Sequence, residues 1–174
     1  MIILGIDPGS RITGFGLIDN LSNQMKYIGS GNIKVVGDNL PEKLGSIFSQ
    51  VGAVIEQFRP EQMGIENVFM AKNAASALKL GQARGAAICA GYQAGLQIAE
   101  YSPREVKQSI VGSGAASKEQ VQHMVKHLLG IRQELKADEA DGLAIAICHA
   151  QFYATQLKTG IDKSMFKARR NHRR

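Results

Sequence analysis

Cysteine is scarce and tryptophan is missing: the 174 residues hold two cysteines, Cys89 and Cys148, and no tryptophan. Both cysteines sit in Ala/Ile-rich runs without the close spacing of a metal-binding pair, so neither a disulfide framework nor a zinc module is expected. Nowhere does the chain approach the roughly 18 consecutive apolar residues that a membrane span requires. The opening stretch Met1–Ile6 is apolar but lacks a basic leader, so no secretory signal is expected and the protein is read as cytoplasmic. Disorder is excluded as well. Hydrophobic residues make up 44% and charged residues 21%, the balance of an ordinary globule. A chain of this length reads as one domain, able to remove roughly 70% of its extended surface from water without cross-links.

What the chain does have is an uneven distribution of charge. Lysine and arginine number 21 against 15 acids, a net charge of +6. The excess resides in the C-terminal segment, where Lys158, Lys163, Lys167, Arg169, Arg170, Arg173 and Arg174 face Asp162 alone; the body up to Leu157 is neutral. The expected organisation is a single folded domain over residues 1–157 followed by a basic, flexible tail over 158–174. Within the body, Lys72, Lys79, Arg84, Arg104, Lys107, Lys118 and Lys126 crowd the middle, and acids gather elsewhere. Basic surface with separately clustered carboxylates suits a polyanionic substrate and a metal site.

Element signals follow one another with short gaps. Ile2–Ile6 ends on the turn signal Asp7-Pro8-Gly9-Ser10, and β-type stretches follow over 13–19 and 25–36, so the first three strands form an antiparallel meander. Leu44, Ile47, Phe48, Val51 and Ile55 repeat at helical spacing after Pro41. A fourth strand is expected over Met63–Phe69, a small-residue helix over Ala74–Ala94, and a fifth strand over Leu96–Tyr101. Ser102-Pro103-Arg104-Glu105 and Ser117-Lys118-Glu119-Gln120 have the form of capping boxes, the second opening a helix that closes at Gly130. A last helix spans about Ala137 to Leu157. This order predicts an α/β fold: a mixed five-stranded sheet, antiparallel meander first, then strands added through helical crossovers, flanked by helices.

Four acids stand out by position. Asp7 closes an apolar strand before Pro-Gly, where Gly9 is expected to admit a ligand; a plain turn-forming Asp would look the same. Glu66 shares a strand face with Gly64 and Val68 by alternation. Asp138 and Asp141, three apart, fall on one side of a helix at its first turn, a place where Asp is also favoured by the helix dipole alone. Glu139 points elsewhere and fits that simpler role. Taken together, carboxylates without His or Cys are hard oxygen ligands, suited to Mg²⁺ or Mn²⁺. Two such ions about 3.5–4 Å apart can promote phosphodiester hydrolysis.

Four segments in order carry a resemblance: Ile6-Asp7-Pro8-Gly9-Ser10-Arg11-Ile12-Thr13-Gly14-Phe15-Gly16, Ile65-Glu66-Asn67-Val68-Phe69-Met70-Ala71-Lys72-Asn73, Leu80-Gly81-Gln82-Ala83-Arg84-Gly85, and Asp138-Glu139-Ala140-Asp141-Gly142-Leu143-Ala144-Ile145-Ala146. Over nearly the whole chain to about Ala150 it resembles the RuvC family of crossover junction endodeoxyribonucleases, built on the ribonuclease H-like fold. The resemblance implies a homodimer that nicks opposed strands of a four-way (Holliday) DNA junction with Mg²⁺, during recombination and repair. It also implies association with the RuvA–RuvB branch-migration machinery. Asp7, Glu66, Asp138 and Asp141 match the family's acidic quartet as catalytic residues and metal ligands.

For DNA contact the candidates are Phe69, Lys72, Lys107 and Lys118. Phe69 at a loop mouth can stack on an unpaired base, although a core role at a strand end would explain it too. Lys107 and Lys118 lie early in helices whose free N–H groups favour phosphate, a reading that family position supports over a solvated surface. Lys79 and Arg84 are weaker candidates. His123, His127 and His149 show no metal spacing and read as surface or internally satisfied. Gly81, Ala83, Gly85, Ala86, Ala87, Ala90 and Gly91 give one helix a small-residue surface, either for packing on its own sheet or for a two-fold partner. Two other readings compete: half of an actin or sugar-kinase-like phosphotransferase, whose first hairpin begins similarly, and a non-catalytic nucleic-acid scaffold. The absence of a Walker-type loop weighs against the first, and the intact acids against the second.

Overall fold

The structure is a computed structural model and describes residues 1–21, 24–67 and 73–160. In chain order it contains β1 (Ile2–Asp7), β2 (Ile12–Leu21), β3 (Gln24–Lys34), α1 (Leu40–Phe58), β4 (Gln62–Glu66), α2 (Ala74–Gln93), β5 (Gln97–Tyr101), α3 (Pro103–Val111), α4 (Lys118–Leu129) and α5 (Ala137–Thr159). The predicted element order is therefore present. One boundary differs: β4 stops at Glu66, and Asn67 lies outside the strand rather than inside the predicted Met63–Phe69. The reason is visible in the pairing. Tyr101, the last residue of β5, is the partner of Glu66, and its carbonyl accepts the Asn67 N–H as the last rung among the described residues, after which β5 gives way to the Ser102 cap of α3.

Helix ends obey their local chemistry. The Asn39 side chain accepts from the Glu42 N–H at the start of α1, and Pro41 occupies its first turn. Ser102 with Glu105 and Ser117 with Gln120 form complete capping boxes. Gly112 and Gly130 close α3 and α4 in the left-handed conformation.

The sheet order is β3-β2-β1-β4-β5, with β1 antiparallel to β2 and parallel to β4. Strand alternation divides the core between two faces. Leu4, Ile6, Met63 and Ile65 pack with Ile47, Val51 and Ala87 of α1 and α2 on one face. On the other, Ile3 and Ile18 pack with α3, α4 and α5. Helix α5 is enclosed along its middle, with Gly142 through Ala150 all buried. The seating of this helix on the sheet positions the site.

Candidate metal centre and nucleic-acid interface

Gly5, Gly14 and Gly16 lie on the α5 side of β1 and β2, where register pairs Gly5 with Gly16 and Asp7 with Gly14. A Cβ on Gly5 would strike the Gly142 carbonyl, one on Gly14 the Asp138 carbonyl, and one on Gly16 the backbone of Leu143. Gly142 in turn faces the backbone of Phe15 and Gly16. Backbone thus rests on backbone, and α5 sits deeper on the sheet than side chains would permit. Its N-terminal end, with Asp138 in the first turn and Asp141 just after it, comes down beside Asp7 at the end of β1.

Glu66 arrives by the same rule from the neighbouring strand. Gly5 pairs with Gly64 and Ile6 with Ile65, so Asp7 and Glu66 occupy equivalent places at the ends of parallel strands. Gly64 lies under Ile145 and His149 of α5. The sequence holds this signal as a repeated tripeptide, Gly5-Ile6-Asp7 and Gly64-Ile65-Glu66, which face alternation alone passes over.

One carboxylate oxygen from each of Asp7, Asp138 and Asp141 lies within 4.8 Å of the other two. Glu66 stands outside that group of three but lines the same cleft, of about 180 Å³, with Asp7, Asp141, Lys107 and Lys118. Burial, reinforced by the charges of Glu66, Asp141 and Asp138, pushes the Asp7 carboxyl up to about 7 against the opposing pull of Lys118. Burial and then Asp141 push Glu66 up to about 7, with Lys118 and Lys107 opposing. Lys118 bonds Asp141 Oδ2 through Nζ at 2.6 Å, and that hydrogen bond raises its own affinity for the proton. An all-oxygen donor set whose members resist sharing their negative charge is what a hard divalent cation relieves. The residues fit such an ion.

Lys118 is the first residue of α4, but Lys107 is the fifth of the nine residues of α3, past its first turn and not early in the helix as expected; both line the cleft with the acids. Phe69 and Lys72 lie outside the described residues. The weaker candidate Arg84 is half-buried and paired with Glu100 of β5, so it ties α2 to the sheet. Gly9 requires correction. Its missing Cβ accommodates the Ile12 carbonyl, and its backbone exchanges hydrogen bonds with the buried Thr13 hydroxyl, so it serves the turn and not a ligand. Glu139 accepts from Ser30 Oγ at 3.3 Å, away from the cleft. His123 and His127 are exposed. His149 is buried, its Nε2 at 2.6 Å from Gln62 Oε1 and its Nδ1 at 2.8 Å from the Tyr101 hydroxyl, which leaves both ring nitrogens satisfied.

The small residues of α2 do not all pack on the sheet. Ala83, Ala87, Ala90 and Gly91 pack inward, whereas Gly81 and Gly85 meet nothing within 4 Å. No helix among the described residues is long and apolar enough to cross a membrane.

Comparison with known proteins points the same way as the site. The family model described as crossover junction endodeoxyribonuclease RuvC matches residues 3–149. A protein of that name from Tolumonas auensis is 55% identical over 157 residues, covering 90% of this chain and 91% of its own. Another from Psychromonas ingrahamii is 57% identical over 149 residues, 86% of each chain. Among solved structures, Thermus thermophilus RuvC in complex with Holliday junction substrate superposes with a TM-score of 0.81 at 35% identity, covering 88% of this chain and 94% of that one. With carboxylates and lysines converging on one cleft and relatives matching from end to end of the domain, the chain belongs to the RuvC family of crossover junction endodeoxyribonucleases.

Proposed function

We propose that this protein is a divalent-metal-dependent, structure-selective endonuclease that resolves four-way DNA junctions by symmetric paired nicks in recombination and repair. The observation that carries the reading is the gathering of Asp7, Asp138 and Asp141 within 4.8 Å, beside Glu66. These four side chains would hold Mg²⁺, with Mn²⁺ able to substitute and two ions per site. Bound there, the cations supply Lewis-acid stabilisation of the charge that develops on the scissile phosphate and its leaving oxygen. The chain's own groups do the rest. Lys107 and Lys118 anchor phosphate at the cleft wall, and Lys72 adds a further contact. Phe69 stacks on a base unpaired at the crossover. With a cation held by the carboxylates, the Lys118 ammonium that here bonds Asp141 would be available to the DNA. Hydrolysis in line leaves a 5′-phosphate and a 3′-hydroxyl.

Residues 1–157 form the nuclease domain and 158–174 a basic tail. The substrate has two strands to cut, so the working unit is a homodimer. Its partner machinery is the RuvA–RuvB branch-migration complex, and its compartment the cytoplasm. A labelled four-way junction incubated with and without Mg²⁺, alongside linear duplex and ATP, tests the reading. Paired nicks near the crossover only with metal support it. ATP turnover, or binding without nicks under every metal condition, overturns it.

A further inference from the structure

On the other side of the sheet from α5, a second cleft of about 560 Å³ opens between the β1–β2 turn, the start of α1 and the first half of α2. Its polar wall presents Arg11, Lys43 and Lys79, all exposed. Three cations elsewhere are tied to acids: Arg84 to Glu100, Lys118 to Asp141 and Lys126 to Glu134. Among the described residues, no carboxylate lies within 4 Å of Arg11, Lys43 or Lys79. The nearby Glu42 is turned back into the helix cap, accepting from the Asp38 N–H at 2.8 Å and from Asn39 Nδ2 at 2.7 Å. Asp38 alone opposes the three cations in the cleft lining. The cleft is therefore electropositive in a body that is neutral overall.

Its place relative to the acids matters as much as its sign. Arg11 follows Asp7 by four residues, so its backbone lies at most about 14 Å from that of Asp7. Successive phosphates on one strand of a duplex advance about 3.4 Å along the axis. A few nucleotides of one strand therefore span the distance from Asp7 to the Arg11 end of this cleft. Asn39, one of the amides in the lining, is engaged by Glu42, accepting from its N–H and donating to its carboxylate. The three cations suit phosphate, the group that positions a strand without carrying its sequence.

We propose that the Arg11–Lys43–Lys79 cleft is a second phosphate-binding track, separate from the Lys107/Lys118 wall, that holds one arm of the DNA and sets its direction away from the cutting site. The inference rests on the nuclease reading above and names where its substrate continues.

The test is metal-free junction binding by the full chain across a series of salt concentrations, for Arg11→Gln, Lys43→Gln and Lys79→Gln. All three positions are exposed, so the fold should survive, and circular dichroism confirms it for each variant. Each lost phosphate contact should lower the slope of log K against log salt by about 0.9 and weaken binding at every junction sequence alike. Lys26→Gln, on β3 at the opposite end of the sheet, is the control and should leave the slope at the wild-type value. Slopes for the cleft variants equal to that control would overturn the proposal. So would an unchanged slope with an altered sedimentation coefficient, which would assign the cleft to a second copy of the chain. Failure of the wild-type protein to bind any junction would instead remove the nuclease reading itself.

Discussion

Near neutral pH the Asp7 and Glu66 carboxyls are poised between charge states, each pushed up to about 7 by burial and by neighbouring acids. The consequence for stability has a definite sign. Both folded values lie above the ordinary carboxyl values of 3.8 and 4.5, so between about pH 4 and pH 7 the folded state binds protons that the unfolded chain has released. Their favourable contribution is complete on the acid side of that window and is lost as pH rises through 7. Without divalent metal, Asp7→Asn should therefore be more stable than the natural protein at pH 7.5, by on the order of 1–3 kcal/mol, with the gap closing toward pH 4. Denaturant melts in chelator check this, and an Asn variant that is the less stable at pH 7.5 would contradict it. The same variant should lose cutting while keeping junction binding in metal-free buffer, since no DNA-facing cation is removed; gel shift and cleavage assays separate the two. At this scale the four acids stood out by position, whereas the two lysines rested on the resemblance. Gly9 was not, because a glycine after Asp-Pro looks alike whether its open side meets a ligand or, as here, the Ile12 carbonyl.

Among the elements, α5 carries half of the acids, and glycines opposite it decide where they stand. Gly14→Ala would drive a methyl group into the Asp138 carbonyl, a backbone atom with no rotamer to escape through. The expected result is a loss of about 1–3 kcal/mol in stability and a larger loss of metal-dependent cleavage, as the Asp138/Asp141 turn is lifted from Asp7. Gly45→Ala is the counterpart on α1. Nothing stands within 4 Å of its added Cβ, so helix propensity governs, and a gain of about 0.5–1 kcal/mol is expected. Thermal unfolding of the two variants, with Mg²⁺-titrated cleavage for the first, distinguishes positioning from propensity. Element order and types follow from hydrophobic period and cap chemistry, which are local. The end of β4 does not, because it depends on where β5 stops offering hydrogen bonds. His149 is similar: a lone histidine on an apolar helix says nothing of Gln62, which is 87 residues away in the chain.

For the whole molecule, the outward face of α2 is where the proposed homodimer would meet. Leu78 and Tyr92 are exposed at 64% and 80%, with Gly81, Gly85 and Cys89 between them at helical spacing. Two such faces can meet across a two-fold axis at close range, which a four-way substrate with paired cutting sites requires. Gly85→Leu should thus shift the protein toward monomer in sedimentation, with uncoupled single nicks replacing paired ones; an undisturbed dimer would move the interface elsewhere. Charge and composition had already specified a globular body, a basic mid-section and four hard-ligand acids, because those properties belong to residues and to their near neighbours in the chain. That Asp7, Asp138 and Asp141 share a space less than 5 Å across was decided only by folding. It depends on three glycines of the β1–β2 hairpin lying under a helix that begins more than 120 residues later, and contacts of that range leave no periodic trace in sequence.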